Sequence, residues 1–126
     1  MEDSTRPLNL EADLLVIGWG KAGKTLARDL ASHGRRVVLV ERDDAMIGGT
    51  CINVACVPTK TLVNLAERRG DRNPDEYLKQ AIASRDALID KLRAANKAML
   101  SGLETVTLVR GEARFAGPRR IRVRSG

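Results

Sequence analysis

The chain of 126 residues is long enough for one small domain, or most of one, and too short for two ordinary ones. Its 43% hydrophobic content excludes wholesale disorder, and with Trp19, Tyr77 and Phe115 as the entire aromatic set the core must be aliphatic. The net charge of +6 draws heavily on Arg110, Arg114, Arg119, Arg120, Arg122 and Arg124, but no aromatic set interleaves with them to stack on bases, which argues against a nucleic-acid partner.

No apolar stretch approaches the ~20 residues of a membrane span. Residues 1–9 are polar, mixed in charge and without an apolar signal-peptide core. The expectation is a cytoplasmic protein with no membrane association, in which two cysteines are catalytic rather than structural.

Along the chain, residues 13–17 form a continuous apolar run ending in glycine, the pattern of a strand buried on both faces. A helical pattern follows over 22–32, with Leu26, Ala27 and Leu30 on one side and Gly34 placed to end it. Residues 37–41 read as a second buried strand. Strand, helix and strand within about thirty residues make a βαβ unit with parallel pairing and a right-handed crossover. Residues 43–50 read as loop, and a helix runs from there to about Arg68 with an irregularity near Pro58. Asn73 is a predicted N-cap, with Pro74 at the first helical position and Glu76 three residues past the cap. The helix after it carries Leu78, Ala81, Ile82, Leu88, Ile89, Leu92, Ala95 and Met99 at helical spacing and ends at Gly102. Residues 105–123 read as short antiparallel strands with a turn at Gly117-Pro118; in 120–124 arginines alternate with Ile121 and Val123, as in a half-buried strand.

Gly18-Trp19-Gly20-Lys21-Ala22-Gly23 fits G-x-G-x-x-G. The chain must turn tightly off a strand, admit a pyrophosphate to its backbone and then pack a helix close to the sheet; side chains at the glycine positions obstruct each step. Gly18, Gly20, Ala22 and Gly23 are therefore candidate cofactor-binding residues, with phosphates on the free N–H groups of the helix start. Glu41 ends the next strand, where a carboxylate accepts hydrogen bonds from a free ribose 2′-OH and disfavours a 2′-phosphate. Lys21 and Lys24 read as ordinary helix-surface lysines.

Cys51 and Cys56, on a regular helix, are about 140° out of phase and ~7.5 Å apart along the axis. A disulfide needs Cα atoms within ~7 Å, so a bond here requires a distorted first turn, for which Pro58 is a source. Near a helix N-terminus such a bond is readily reduced and its thiolate stabilised. The spacing by itself leaves buried inert thiols and a structural disulfide open. A zinc site lacks ligands, because His33 is the only histidine and lies in another helix, facing solvent or capping it; no metal site is expected.

The run Gly48-Gly49-Thr50-Cys51-Ile52-Asn53-Val54-Ala55-Cys56-Val57-Pro58-Thr59-Lys60, behind the glycine loop and Glu41, resembles the signature of class I pyridine-nucleotide-disulfide oxidoreductases, which include dihydrolipoamide dehydrogenase, glutathione reductase and mercuric reductase. In residues 20–27 and 58–63 it is most similar to the reactive chlorine resistance flavoprotein branch. The likeness covers nearly the whole chain but only about the first quarter of such an enzyme. It implies an α/β fold: an incomplete doubly wound, Rossmann-like FAD-binding domain over residues 1–126 with a small antiparallel β segment at its C-terminal end. FAD would contact Gly49, Thr50 and Glu41, NAD(P)H would donate electrons, and Cys51 would be the interchange thiol facing substrate. Cys56 would lie against the flavin as the charge-transfer thiolate, its pKa lowered by helix dipole and ammonium, with Lys60 near the reactive flavin nitrogen. The acceptor would be a small disulfide, quinone or metal ion. The NAD(P)H-binding domain and the interface domain, which supplies a His–Glu pair across a homodimer, are not in this sequence. Two departures stand out: Ala55 replaces the usual glycine and is expected to tighten the space beside the flavin and alter the redox potential, and the bulky Trp19 is placed to shield the adenosine. The alternative is a stand-alone nucleotide-binding or thiol redox-sensing module without turnover.

Overall fold

The computed structural model describes residues 9–125. Residues 1–8, most of the polar opening segment, and residue 126 lie outside the described residues. Strand β1 (Leu14–Ile17) leads through the glycine loop into helix α1 (Lys21–Ser32) and strand β2 (Val37–Glu41). A single 3-10 turn (Asp44–Met46) precedes helices α2 (Thr50–Asn53), α3 (Cys56–Glu67) and α4 (Pro74–Ser101), and strands β3 (Val106–Arg110), β4 (Glu112–Gly117) and β5 (Arg120–Arg124) close the chain.

The expected βαβ unit is present: β1 and β2 pair in parallel, with Leu14 opposite Val37 and Ile17 opposite Val40. Helix α1 ends as its sequence dictates. His33 is the C-cap, Gly34 follows at φ +76°, and the N–H groups of Gly34 and Arg35 return to the Ala31 and Leu30 carbonyls. At the other helix predicted to be capped, Asn73 accepts from the Asp75 and Glu76 N–H groups with Pro74 at the first position, and Gly102 is the C-cap.

Two expectations change. Residues 106–110 are not part of the antiparallel segment; β3 pairs in parallel with β2, Val37 opposite Val106 and Glu41 opposite Arg110, giving the sheet order β1-β2-β3. Only β4 and β5 are antiparallel, with an irregularity between Phe115 and Gly117. β3 pairs this way because the 28-residue α4, about 42 Å long, carries the chain back to the start of β2, where Val37 N–H donates to the Thr105 carbonyl. β1 is also not buried on both faces. It is one of the two edges of the described sheet, paired only with β2, and Leu15 and Ile17 remain 40% and 48% exposed.

The core lies on the other face of the sheet. Val16, Val37 and Leu39 pack with Ala27 and Ala31 of α1, Leu100 of α4, Trp19 and Ile47; Leu14, Leu108 and Met99 border them. Full burial of each Val or Leu here contributes about 1.5–3 kcal/mol, so β2, whose first four residues are all buried, anchors the fold. Val38 and Val40 point the other way and are also buried, while their β1 neighbours Leu15 and Ile17 are open. The described residues thus make an incomplete doubly wound sheet. No described helix is long and apolar enough to cross a membrane.

Candidate functional site

The phosphate loop has the stereochemistry its glycines imply. Gly18 sits at φ +89°, which turns the chain off β1, and its N–H donates to the Val40 carbonyl. A Cβ built on Gly20 meets nothing within 4 Å, leaving backbone open to a ligand, whereas one on Gly23 would stand 2.6 Å from Val16 Cγ1, so α1 touches β1 there. Gly20 caps α1 without a side-chain hydrogen bond, and its first turn, which includes Ala22, carries no acid. Its free N–H groups and dipole are therefore available to an anion.

Glu41 ends β2 beside this loop. Its Oε1 accepts from the Arg42 and Asp43 N–H groups at 2.9 and 3.1 Å, and its Oε2 from Trp19 N–H at 3.3 Å. A carboxylate has about four acceptor positions, so one remains on Oε2 for a ribose hydroxyl. Next to it lies a cavity of about 210 Å³, walled by Trp19, Leu39, Ile47, Leu108, Lys97 and Arg110 among others. Trp19 lines this space. It is 3% exposed, packed into the core, and forms an inner wall. Among the residues present, the open Gly20 backbone, the uncapped helix start and the remaining Glu41 acceptor fit a dinucleotide with a free ribose.

The cysteine segment is built onto this loop. Gly48 and Gly49 lie at φ +92° and +91°, and a Cβ on Gly49 would be 2.6 Å from the Trp19 carbonyl oxygen. Only glycine allows that contact, which seats the start of α2 against the phosphate loop. The single helix expected from about residue 50 to 68 is two. The break falls at Val54 and Ala55, before Pro58, and Ala55 (φ −122°, ψ −99°) is the N-cap of α3. Pro58 then occupies the first turn of a new helix, where a missing N–H costs nothing.

This break supplies the distortion that a Cys51–Cys56 bond requires. Both thiols are exposed and free, one on each side of the break. The hydrogen bond with Cys51 pushes the Cys56 thiol above its ordinary pKa, followed by the Cys51 charge and slight desolvation; Lys60 and a backbone hydrogen bond pull it down without prevailing. The expected lowering of Cys56 is thus reversed, because in a dithiol the partner's proton and charge outweigh an exposed lysine one helical turn away.

Several supports were not visible in the sequence. Asn53 Nδ2 donates to the Ile47 and Gly49 carbonyls, both at 2.9 Å, and its Oδ1 accepts from Arg93 Nε at 3.1 Å. Lys24, read as a surface lysine, instead spans 24 and 72 residues to reach the Gly48 carbonyl and Asn96. Nothing local distinguishes it from Lys21 or Arg28 on the same helix. A larger cavity of about 620 Å³ lies behind the cysteine segment, between Asn53, Val54, Pro58 and α4, but neither thiol lines it. Its charges are paired internally, Arg85 with Asp86 and Arg93 with Asp90. His33 is exposed beside Asp29, far in sequence from the thiols, and the described residues hold no cluster of three or more metal-ligating side chains.

Residues 12–123 match the family described as pyridine nucleotide-disulphide oxidoreductase. The chain belongs to this family. It is 41% identical over 109 residues to the probable pyridine nucleotide-disulfide oxidoreductase RclA of Escherichia coli K12, covering 86% of this chain and 23% of that protein. It is 40% identical over 121 residues to a dihydrolipoyl dehydrogenase of Thermus scotoductus, covering 88% and 26%. A mercuric reductase of Acidithiobacillus ferrooxidans is 36% identical over 124 residues, covering 88% and 22%. The chain thus spans about a quarter of the length of these relatives. Among solved structures, the Cu(II) complex of the HOCl-induced flavoprotein disulfide reductase RclA from Escherichia coli superposes with a TM-score of 0.82 at 39% identity, over 92% of this chain and 25% of that one. The parallel sheet with its helices and small antiparallel sheet matches the FAD-binding, Rossmann-like region of that fold.

Proposed function

We propose that this chain is the N-terminal part of a flavoprotein disulfide oxidoreductase that passes electrons from NAD(P)H through FAD to the Cys51–Cys56 pair and on to a small disulfide, quinone or metal ion. One observation carries the reading: two free, exposed thiols flank a helix break on a segment whose leading glycine is packed against the backbone of the glycine loop. A redox pair and a nucleotide cradle held this closely serve one reaction.

Gly18, Gly20, Ala22 and Gly23 would hold the pyrophosphate, Glu41 the ribose, and Gly49, Thr50 and Lys60 the flavin end. FAD, when bound, supplies a relay between a two-electron hydride donor and the dithiol. The chain's own residues do the rest. Cys51, on the exposed first turn of α2, meets the acceptor; Cys56, one break later, closes on Cys51 as the acceptor is reduced. Two thiols lose two protons and two electrons, and one Sγ–Sγ bond forms. No histidine is available beside the thiols, so the proton-handling group comes from outside this segment, in keeping with a homodimeric cytoplasmic enzyme whose interface and NAD(P)H-binding domains lie elsewhere. The Cu(II) complexes of the similar RclA favour a metal ion among the acceptors.

The test is equilibration of the chain in glutathione redox buffers, with mass-resolved alkylation, beside titration of FAD into the longer protein. Closure of Cys51 on Cys56 and FAD binding weakened by Glu41→Ala are expected. Thiols that stay separate at every poise, or a first site that retains NADP+ and not FAD, refute the reading.

A further inference from the structure

The redox segment has no hydrophobic attachment comparable to that of β2. Among α2's residues only Ile52 is buried, and α3 has no buried residue. The position of Cys51 therefore depends on polar ties to the two elements behind it. One tie runs from α4 through Arg93 to Asn53. The other is Lys24, whose Nζ donates at 2.8 Å to the Gly48 carbonyl and at 2.7 Å to Asn96 Oδ1; Asn96 is itself held by donating to the Leu92 carbonyl at 2.8 Å.

Lys24 lies one residue past Gly23, which is pressed against β1, so its backbone is held close to the sheet. Gly48 lies three residues before Cys51 and has φ +92°, a conformation that its own side chain does nothing to hold. The ammonium thus joins three elements at one point. Burial pushes the Lys24 pKa down, Lys21 adds to this, and the Cys51 charge opposes it, so the ammonium lies within electrostatic range of the thiol. The titratable groups acting on this ammonium are Lys21 on α1 and Cys51 on α2.

We propose that Lys24 is a positioning residue for the Cys51–Cys56 pair: by gripping the Gly48 carbonyl and Asn96 together it holds the start of α2 where the two thiols can close on each other. The proposal rests on the reading of the pair as redox-active. Without the grip, the Gly48-Gly49 hinge gains conformational freedom, and closing the disulfide must first restore it.

The experiment measures the closing equilibrium of the whole chain in buffers of glutathione and its disulfide. Each turnover oxidises two thiols to one Sγ–Sγ bond and cleaves one glutathione disulfide to two thiols. Lys24→Met is expected to weaken closure by on the order of tenfold, equivalent to about 30 mV for this two-electron couple. Lys24→Arg, which keeps donors and charge, recovers most of it, and Lys91→Met, an exposed lysine on α4, changes nothing. Asn96→Leu removes one anchor of the same tie and weakens closure in the same direction, which decides the matter if Lys24→Met proves unfolded by circular dichroism. Wild-type closure by folded Lys24→Met, by Asn96→Leu, or a folded Lys24→Arg as defective as Lys24→Met overturns the proposal while leaving the redox pair intact. A wild-type chain that never closes the bond overturns the redox reading and the proposal with it.

Discussion

Gly23→Ala isolates the packing role of the third loop glycine from its nucleotide role. The residue is inside α1 with ordinary helical backbone, so no left-handed strain enters, and the new methyl would stand 2.6 Å from Val16 Cγ1. Ordinary carbon contacts lie near 3.5–4.0 Å, so α1 and β1 must separate by roughly 1 Å. Overpacking of this kind costs about 1–3 kcal/mol, against which Ala in place of Gly within a helix returns about 1 kcal/mol. The net expectation is a loss of about 0–2 kcal/mol. Val16→Ala removes the obstructing methyl at a cost of about 1.5–3 kcal/mol, since Val16 is buried. In that background Gly23→Ala fills the vacated space, keeps its helix gain and stabilises the chain by about 1 kcal/mol. The sign of one substitution thus reverses with its partner, with a coupling of about 1–3 kcal/mol. Urea unfolding of the four proteins by far-UV circular dichroism reads this directly, because a slope of about 1–3 kcal/mol per molar converts the coupling to a midpoint shift near 1 M. If Gly23→Ala stabilises both backgrounds equally, the α1–β1 contact is not the reason for glycine at this position.

The other predictions probe the site. Replacing Cys51 with Ala removes the two leading causes of the raised Cys56 pKa and leaves Lys60 pulling downward, so Cys56 should be alkylated several-fold faster at pH 8 than in the wild type, and adding Lys60→Met should slow it again; equal rates in all three proteins contradict the assigned cause. Asn53→Leu removes a donor from the Ile47 and Gly49 carbonyls and the acceptor of Arg93 Nε, while the Gly49 carbonyl keeps the residue 53 backbone N–H and Arg93 keeps Asp90; it should cost about 1–3 kcal/mol, read as a fall in urea midpoint with an unchanged slope. Gly49→Ala combines a positive φ with a Cβ 2.6 Å from a backbone oxygen, which no rotamer change relieves, and should weaken the fold and FAD binding to the longer protein together, as measured by flavin fluorescence. The 126-residue chain alone should be colourless and fail to oxidise NADPH, since Leu15 and Ile17 on β1 remain open to solvent; a yellow, NADPH-oxidising preparation contradicts this.

The sequence by itself determined whatever depends on a few neighbouring residues. The turn at Gly18, the close packing at Gly23, the Gly34 helix end and the Asn73-Pro74 start follow from the conformational limits of single residues, and each is where those limits put it. The cysteine spacing likewise required a broken helix before any disulfide could form, though Pro58, the expected cause, lies past the break in the first turn of the second helix. Tertiary structure decided the rest, because it depends on partners far along the chain. A five-residue apolar strand looks the same whether it returns in parallel or in a hairpin; the length of α4 placed β3 beside β2. β1 has the composition of an interior strand, yet it lies at an edge of the described sheet, and Leu15 and Ile17, on the face away from the main core, stay exposed. Lys24 is chemically indistinguishable from any helix-surface lysine until Gly48 and Asn96, 24 and 72 residues away, are brought to its ammonium. Hydrogen-bond acceptors gathered from distant segments leave no local pattern, so this tie could be found only in three dimensions.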